Sequence, residues 1–265
     1  MRDLKGRTAL LTGASSGLGP FIARRLHREG VRFFLSARRQ DELQRLAREL
    51  VGSRVVTADL SRRGEAERLA GEAGEVDILI ANAGVPASGP LTGFEVAGID
   101  VALDVNLRAP LVLARLLLPR MLERRSGHLV LMASVAGQVP APGNSVYNAT
   151  KFGLRGFGHA LRAELQGSGV SVSVVSPVFV SDAGMLAETG VHAPGREVPV
   201  ERVAEAVLTA IRADRSEITV APLGLRVGAR FPLAFPQLIQ TRLFRSAGAV
   251  PEEAMERQQG GRPGA

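Results

Sequence analysis

The segment RTALLTGASSGLGPFIARRLHREG, residues 7–30, runs from an apolar strand pattern through a glycine-rich turn into a helix pattern. Small residues at such a turn let the backbone approach a phosphate group, and the amino end of the following helix favours the negative charge. We therefore predict a strand–turn–helix unit that binds phosphate, with an ordinary glycine-rich turn as the alternative. Pro20 is compatible with this unit because proline is well tolerated in the first turn of a helix. The residues predicted to line the turn are Gly13, Ser15, Ser16, Gly17, Leu18 and Gly19.

The alternation of strand and helix patterns continues along most of the chain. Apolar runs such as VRFFLSA (31–37), VDILIANAG (76–84) and GVSVSVVSP (169–177) are nearly continuous. Such runs are typical of parallel strands covered on both faces, and strand–helix alternation favours right-handed crossovers. We predict an α/β fold with a doubly wound parallel sheet of the Rossmann type, in three α/β/α layers. The predicted single domain spans residues 1–221.

The composition argues against several classes of binding site. The chain of 265 residues contains no cysteine, which excludes disulfides and thiolate metal sites. Its four histidines lie far apart, so no metal site is predicted. The net charge of +7 comes mainly from arginines scattered among acidic residues, as in RRQDELQRLAREL (38–50). We therefore predict no nucleic-acid partner.

No segment has the pattern of a signal peptide or of a membrane span. The most apolar stretch, APLVLARLLLPRML (109–122), is interrupted by Arg115 and Pro119. It is too short to cross a bilayer. We therefore expect a cytoplasmic protein.

The end of the second predicted strand, FFLSARRQ (33–40), bears on the choice of a dinucleotide. A site selective for NAD usually has Asp or Glu here, bound to the ribose 2′-hydroxyl. In this chain Ala37 is followed by Arg38 and Arg39, and a guanidinium group can bind a 2′-phosphate through paired hydrogen bonds. The sequence predicts NADP(H) rather than NAD(H). The alternative is that both arginines only begin a solvated helix.

Further motifs make the chain resemble the short-chain dehydrogenase/reductase family, in its single-domain branch. Beside the glycine turn they are ADL (58–60), NAG (82–84), DVN (104–106), a serine after the fifth predicted strand and YNATK (147–151), in the family's order. The resemblance implies an NADP(H)-dependent oxidoreductase that interconverts a secondary alcohol and a carbonyl compound. It implies the catalytic residues Asn106, Ser134, Tyr147 and Lys151. It also implies further cofactor contacts at Asp59, Leu60, Asn82, Gly84, Tyr147, Lys151, Pro177 and Val180.

The pair formed by Tyr147 and Lys151 has a chemical interpretation of its own. Tyr147 is the only tyrosine of the chain and Lys151 is one of two lysines. A spacing of four places both on one face of a helix. A nearby ammonium group favours the phenolate, so we expect Lys151 to lower the pKa of Tyr147 from its usual value near 10. Tyr147 can then exchange a proton with the substrate oxygen as hydride is transferred.

Ser134 and Asn106 complete the predicted catalytic set. We expect the hydroxyl group of Ser134 to hydrogen-bond the reacting oxygen. By the resemblance, Lys151 also binds the nicotinamide ribose, and Asn106 helps to hold a water that relays protons to Lys151. The alternatives are a simple strand-end cap for Ser134 and a structural helix residue for Asn106.

The segment SPVFVSD (176–182) departs from the family pattern at two positions. Val178 stands where the family usually has glycine, and Asp182 stands where it usually has threonine. The backbone of Val180 can still meet the carboxamide of the cofactor. A carboxylate at position 182 is unfavourable near phosphates unless it turns away.

Residues 178–199 have no clear period and are predicted to be a long loop, which by the resemblance covers the substrate. The loop contributes Phe179, Met185, Leu186 and Val191, so we expect a moderately apolar alcohol or carbonyl substrate. Two other functions stay open, a catalytically quiet NADP(H)-binding sensor and an NADP-assisted isomerase or dehydratase. Further residues of the predicted pocket are Pro140, Ala141 and Asn144, beside Ser134 and Tyr147.

Residues 222–251 are predicted to be a C-terminal extension, and residues 252–265 a disordered tail. The extension mixes large apolar residues with arginines, and prolines at 232 and 236 weaken any single long helix. Three alternatives are open: it packs on its own domain or on a partner subunit, which we favour, covers the substrate site, or contacts a membrane surface. By the resemblance we expect a homodimer or homotetramer, formed through the helices that contain Arg115 and Tyr147.

Overall fold

The computed structural model describes residues 1, 3–181, 183–184 and 197–228. The strands in these ranges are β1 (Thr8–Thr12), β2 (Arg32–Ala37), β3 (Arg54–Thr57), β4 (Ile78–Ala81), β5 (Gly127–Met132), β6 (Val170–Pro177), β7 (Phe179–Val180), β8 (Glu197–Val198) and β9 (Glu217–Val220). The α-helices are α1 (Gly19–His27), α2 (Gln40–Glu49), α3 (Glu65–Ala73), α4 (Val96–Leu103), α5 (Ala109–Glu123), α6 (Ser145–Glu164), α7 (Val200–Arg212) and α8 (Leu223–Gly228). A π-helical turn, Asp104–Arg108, joins α4 to α5, and 3-10 turns occupy Leu91–Gly93 and Val135–Gly137.

The sheet contains seven parallel strands in the order β3–β2–β1–β4–β5–β6–β9. The chain moves outward from β1 to β3 and then returns to place β4 on the other side of β1. Strands β7 and β8 pair separately. In open sheets of this kind, ligands bind in the crevice at the carboxyl ends of the strands where the order reverses. The predicted doubly wound, single-domain α/β fold is confirmed.

Apolar side chains cover both faces of the central strands. In β1, Ala9 and Leu11 belong to the core cluster that includes residues of α1, α2 and α7, whereas Leu10 belongs to the cluster that includes residues of α3, α5 and α6. Successive side chains of a strand point to opposite faces, so a strand covered on both sides must be apolar at every position. This requirement explains the unbroken apolar runs in the sequence.

Most of the predicted C-terminal extension lies outside the described residues. Only α8 and the residue before it fall within them, so the three alternatives for residues 222–251 stay predictions, as does the disordered tail. Among the described helices, none combines the length and the hydropathy that a membrane crossing requires. The described residues also contain no cluster of histidine and acidic side chains suited to a metal ion.

A neutral histidine is buried in the middle of the sheet. The ring of His128 in β5 is fully enclosed, with Nε2 2.8 Å from Oγ of Ser173, which itself donates to the carbonyl oxygen of Arg215 at 2.6 Å. Because that hydroxyl has one proton, Nε2 of His128 must be the donor to Ser173. Nδ1 then carries a lone pair and meets no partner among the described residues. Burial lowers the pKa of His128 to about 3.

We predict that His128 makes the fold sensitive to acid. The unfolded chain binds a proton at this residue near pH 6.5 and the folded chain only near pH 3, so stability is lost as the pH falls between these values. The loss approaches about 1.4 kcal/mol per pH unit. In urea unfolding at pH 7, 6 and 5, the free energy of unfolding of His128→Gln should fall less steeply than that of wild type. Equal slopes for His128→Gln and wild type would contradict the assignment.

Candidate active site

The predicted site residues converge at the carboxyl ends of four neighbouring strands. The glycine turn follows β1, Asn82 follows β4, Ser134 follows β5, and Pro177 ends β6. These strands lie side by side in the sheet, around the point where the strand order reverses. The crevice expected from the topology therefore coincides with the residues expected from the sequence.

The glycine turn is packed so closely that Gly13 and Gly19 have no room for a side chain. Gly13 and Gly17 have φ angles of 66° and 56°, in the left-handed region that favours glycine. A Cβ atom on Gly19 would lie 2.2 Å from the carbonyl oxygen of Gly13, and one on Gly13 would lie 2.8 Å from Cα of Ala83. The turn thus presents bare backbone at the start of α1, as phosphate binding requires. Ser15, Ser16 and Leu18 lie in this turn, each partly exposed.

Asn82 and Thr12 fasten the glycine turn to the neighbouring strand. Nδ2 of Asn82 donates to the carbonyl oxygens of Thr12 at 3.1 Å and Gly13 at 3.2 Å. Oγ1 of Thr12 accepts from the backbone N–H groups of Asn82 and Ala83, at 3.1 and 3.0 Å. The amide of Asn82 therefore shapes the turn, and Gly84 lies two residues beyond it, half-buried. Sequence analysis did not single out Thr12.

We predict that the turn tolerates no methyl group at position 19. Gly19→Ala should lower the free energy of unfolding by at least about 2 kcal/mol, because the added Cβ meets backbone that cannot move aside. Gly71→Ala is the matched control, since Gly71 lies inside α3 with open space at its Cβ position. That variant should be about 0.5–1 kcal/mol more stable than wild type. Urea unfolding of both variants makes the comparison, and a Gly19→Ala protein as stable as wild type would refute the packing argument.

Two arginines lie at the end of β2, beside the glycine turn. Nη2 of Arg39 is 3.5 Å from both the carbonyl oxygen and Oγ of Ser15. Arg38 is exposed and makes no ion pair with any described residue. Both precede α2, which begins at Gln40, so the structure places them at a helix start, and Arg39 also contacts the turn.

Asp59 and Leu60 follow β3, one strand further out. Oδ1 of Asp59 accepts hydrogen bonds from the backbone N–H and the hydroxyl group of Ser61, at 3.1 and 2.7 Å. Leu60 packs against the core cluster that includes residues of α3 and α5. The carboxylate is thus held by its own turn at the outer side of the crevice.

Ser134 links the end of β5 to the end of β6. Its Oγ accepts a hydrogen bond from the backbone N–H of Ala136 at 3.1 Å, which caps the 3-10 turn Val135–Gly137. The hydroxyl group also lies 3.3 Å from the carbonyl oxygen of Pro177, to which it donates. Tyr147 lies nearby, where the hydroxyl group of Ser134 acts to lower its pKa. The cap proposed as an alternative for Ser134 is present, and the contact with Tyr147 is present with it.

Tyr147 and Lys151 share one face of α6, but their charges do not interact as expected. Burial raises the pKa of Tyr147 to about 12, and the hydrogen bond with Ser134 opposes this shift only in part. Nζ of Lys151 is 5.6 Å from the centre of the tyrosine ring and donates to the carbonyl oxygen of Met132 at 3.0 Å. Burial lowers the pKa of Lys151 to about 8. The expected lowering of the pKa of Tyr147 is therefore wrong for this structure, because burial of the phenol raises that pKa.

The side chain of Asn106 has a structural role. Asn106 lies in the π-helical turn between α4 and α5 and is fully buried. Its Oδ1 accepts from the backbone N–H of Val85 at 2.8 Å, and its Nδ2 donates to the carbonyl oxygen of Val85 at 3.0 Å. These bonds tie the helix to the segment after β4. Any contact with a relay water would fall to the backbone of Asn106, and that role stays a prediction.

The segment after β6 supplies the remaining predicted residues. Val178 donates its N–H to the carbonyl oxygen of Val220 at 3.0 Å and packs against the core, so a side chain is accommodated where the family usually has glycine. Val180 is buried in β7, next to the half-buried Phe179. The predictions for Asp182, Met185, Leu186 and Val191 lie outside the described residues.

An apolar wall adjoins the tyrosine. Tyr147, Val85, Phe94 and Ile99 pack around a small cluster of buried residues, Ala87, Ala102 and Val146. In the segment before α6, Asn144 is buried, and Ala141 and Pro140 are more exposed. The phenol therefore lies between apolar groups and the hydroxyl of Ser134.

Comparisons with known proteins match this arrangement. The family described as short chain dehydrogenase matches residues 7–192. The chain belongs to this family. The ketoacyl reductase HetN of Nostoc sp. is 40% identical over 265 residues, which cover 94% of this chain and 92% of that protein.

Solved structures of the short-chain dehydrogenase family have the same fold. A metagenomic short-chain oxidoreductase in complex with NADP has a TM-score of 0.69 and 32% identity, covering 82% of this chain and 97% of its own. A variant of the actinorhodin polyketide ketoreductase with NADPH has a TM-score of 0.72 and 30% identity, covering 83% and 97%. The chain is therefore a short-chain dehydrogenase in sequence and in fold.

Sequence analysis missed a residue that shapes the loop between Ser134 and Tyr147. The buried side chain of Asn148 donates from Nδ2 to the carbonyl oxygens of Ala136 and Val139, and its Oδ1 accepts from the N–H of Ala141 at 3.2 Å. An asparagine inside a helix is disfavoured by propensity, and this was the available signal. Its partners could not be inferred from the sequence.

Proposed function

We propose that this short-chain dehydrogenase is an NADP(H)-dependent oxidoreductase that interconverts a secondary alcohol and a ketone or aldehyde. The observation that carries the proposal is the convergence of Ser134, Tyr147 and Lys151 at the carboxyl end of the sheet, where Ser134 lies near enough to Tyr147 to favour its phenolate. The glycine turn fits a dinucleotide phosphate, because its backbone is bare at the start of α1. The similar solved structures in complex with NADP or NADPH add support.

The proposed mechanism assigns one task to each side chain. The bound cofactor would supply or accept the hydride and, in its oxidised form, add a positive charge. In the reductive direction, Tyr147 donates its phenolic proton to the carbonyl oxygen while Ser134 hydrogen-bonds the same oxygen and holds it in place. With a pKa of about 12 the phenol is fully protonated at neutral pH, which suits a proton donor. Lys151, buried below the tyrosine, is the group from which a proton can return to it.

The oxidative direction makes a stronger demand on Tyr147. The phenol must then accept a proton from an alcohol, so its pKa must fall towards neutrality. Burial alone acts against this requirement, and a positive charge in the site would act for it. We infer that Lys151 contributes part of that charge, since with a pKa of about 8 its amine is mostly protonated at neutral pH. The oxidised cofactor would add the rest.

We predict that Tyr147→Phe removes catalysis and preserves cofactor binding. Without the phenolic proton the reaction should slow by about 100-fold or more, the usual contribution of a positioned acid. NADPH consumption with a broad panel of carbonyl compounds measures the loss, and quenching or enhancement of NADPH fluorescence measures binding. Activity in the variant equal to that of wild type would exclude Tyr147 as the acid.

The preference for NADP(H) is proposed to rest on Arg38 and Arg39. Ala37 leaves no carboxylate to repel a 2′-phosphate, and Arg39 already lies against Ser15 of the glycine turn. Arg38 is exposed and has no ion-pair partner among the described residues, so its guanidinium is available. A 2′-phosphate held between them would form charge-assisted hydrogen bonds.

We predict that Arg38→Ala and Arg39→Ala each weaken NADPH binding about tenfold and leave NADH binding unchanged. Arg45→Ala is the control, because Arg45 lies on α2, the helix that follows the two arginines, and pairs only with Glu42 among the described residues. It should alter neither affinity. An equal loss of affinity for NADPH and for NADH would contradict the proposed contact of these arginines with the 2′-phosphate. Tighter binding of NADH than of NADPH by wild type would overturn the proposed preference for NADP(H).

The substrate proposed is a moderately apolar carbonyl compound. The wall of Val85, Phe94 and Ile99 beside Tyr147 carries no charge, and the relatives include a ketoacyl reductase and a polyketide ketoreductase. A panel that ranges from small polar to longer acyl ketones tests this choice. A preference for charged or small hydroxy-acid substrates would contradict it.

A homo-oligomer is proposed from the apolar residues exposed on α4 and α5. Val101 and Leu103 are 40% and 37% exposed, and Leu116 and Leu122 are 41% and 37% exposed. Arg115 is exposed on the same helix as Leu116. Exposed apolar groups on adjacent helices are typical of an interface between subunits. Sedimentation velocity tests the proposal, and a monomer at micromolar concentration would contradict it.

A further inference from the structure

A carboxylate on the last strand of the sheet joins three other polar side chains away from the cofactor turn. Glu217 is the first residue of β9, and its Oε1 accepts from Nε of Arg155 at 2.7 Å and from Nε2 of Gln138 at 2.7 Å. Its Oε2 accepts from Nη2 of Arg155 at 3.0 Å and lies 3.1 Å from Nε2 of His159. Both carboxylate oxygens are therefore engaged, and the contact with Arg155 is bidentate. We call these four residues the Glu217 cluster.

The cluster joins the two elements that carry the catalytic side chains. Gln138 directly follows the 3-10 turn that Ser134 caps. Arg155 lies four residues beyond Lys151 on α6, so the spacing of four that connects Tyr147 to Lys151 continues into the cluster. His159 extends the series by another four residues. Glu217 thus hydrogen-bonds both to Gln138, at the end of the turn that Ser134 caps, and to Arg155 on α6, the helix that carries Tyr147. We call the segment from Ser134 to Gln138 the serine turn.

The turn and the helix lie in direct contact where the cluster joins them. A Cβ atom on Gly137 would lie 2.6 Å from the carbonyl oxygen of Lys151, so the turn rests on the helix backbone. Nε2 of Gln138 also donates to Oγ1 of Thr219 at 2.9 Å, which gives the turn a second anchor on β9. A small shift of the turn along α6 would therefore change the distance between Ser134 and Tyr147.

A second connection runs from β9 to Ser134 through the backbone. Val220 of β9 pairs with Pro177 of β6, and the carbonyl oxygen of Pro177 accepts the hydroxyl proton of Ser134. The edge strand β9 is thus connected to Ser134 in two ways. One connection runs through the carbonyl group of Pro177, and the other runs through the side chain of Gln138 to the serine turn. The position of Ser134 is fixed only if both connections are intact.

The energetics favour a rigid cluster. The side chain of Gln138 is 5% exposed, and that of Glu217 is 19% exposed. Burial raises the pKa of Glu217, but the hydrogen bonds from Arg155 and Gln138 outweigh burial and hold it below its usual range. Removal of one member would leave others buried and unpaired, so the members act as a unit.

We propose that Glu217 is a positioning residue, which sets the distance between the Ser134 hydroxyl and the Tyr147 phenol by clamping the serine turn to α6. The inference rests on the proposed function, in which these two groups share the reacting oxygen. Misplacement of a positioned group by a fraction of an ångström slows the chemical step without weakening cofactor binding.

The test compares two ion pairs of the same helix. Arg162 on α6 pairs with Asp214 at 2.8 Å, just before β9, and this pair touches neither the serine turn nor the catalytic side chains. Glu217→Ala and Gln138→Ala should each lower kcat at least about tenfold with NADPH affinity unchanged. Asp214→Ala should change kcat by less than about twofold.

Two further variants separate positioning from simple destabilisation. Because the cluster acts as a unit, Gln138→Ala combined with Glu217→Ala should lower kcat no further than Glu217→Ala alone. Glu217→Gln keeps one acceptor oxygen and should recover part of the lost kcat. Additive losses, no recovery in Glu217→Gln, or a kcat of Glu217→Ala equal to that of Asp214→Ala would each overturn the proposal.

A measurement without turnover distinguishes failure of this proposal from failure of the proposed function. Hydrogen exchange of the amides at residues 136–139, which bond to Ser134 and Val135, reports the rigidity of the turn. Exchange should be faster in Glu217→Ala and Gln138→Ala, and unchanged in Asp214→Ala. Unchanged exchange in Glu217→Ala and Gln138→Ala would overturn the proposed clamp, whether or not wild type reduces a carbonyl compound. Faster exchange together with absent wild-type turnover would support the clamp and count against the proposed function alone.

Discussion

The rest of the site depends on one constraint, the close packing of the glycine turn against the end of β4, where the strand order of the sheet reverses. The carboxyl ends of β1 and β4 approach so closely that Gly13 has no room for a side chain, and Asn82 and Thr12 hydrogen-bond the two ends together. Because the turn is fixed to β4, the start of α1 is fixed relative to β5 and β6 beside it. Ser134 at the end of β5 and Pro177 at the end of β6 then occupy set positions relative to the turn.

Burial governs the pKa values of Tyr147 and Lys151, the proposed catalytic pair, before any cofactor is considered. Spacing in the sequence places Lys151 beside Tyr147, but the direction in which the ammonium group points is decided by the carbonyl oxygen of Met132 on another element. Burial then raises the pKa of the phenol and lowers that of the amine, so each stays neutral over a wider range of pH. Under the proposed function, these pKa values suit donation of a proton by Tyr147, and the reverse reaction needs additional positive charge.

The sequence was most informative where a local pattern is dictated by a general requirement. Unbroken apolar runs predicted the sheet because both of its faces are covered, and the order of motifs predicted the family. It was less informative where a side chain meets a partner distant in the chain. The bonds of Asn106 to Val85 and the contact of Gln138 with Glu217, 79 residues away, have no local pattern. The pKa of Tyr147 was also mispredicted, because the burial of its side chain depends on the whole fold and leaves no local pattern in the sequence.

The central claim is that Tyr147 is the acid and base of the reaction, tuned by Lys151 when the cofactor is bound. Because the chain contains a single tyrosine and no tryptophan, its phenolate absorbance reports Tyr147 alone. In the protein without cofactor, phenolate should be absent at pH 10, where half of the tyrosine in urea-unfolded protein is ionised. Addition of NADP⁺ should bring the ionisation of Tyr147 to lower pH, and Lys151→Met should abolish most of that shift. A titration of Tyr147 that NADP⁺ does not move, in protein shown to bind it, would contradict the account.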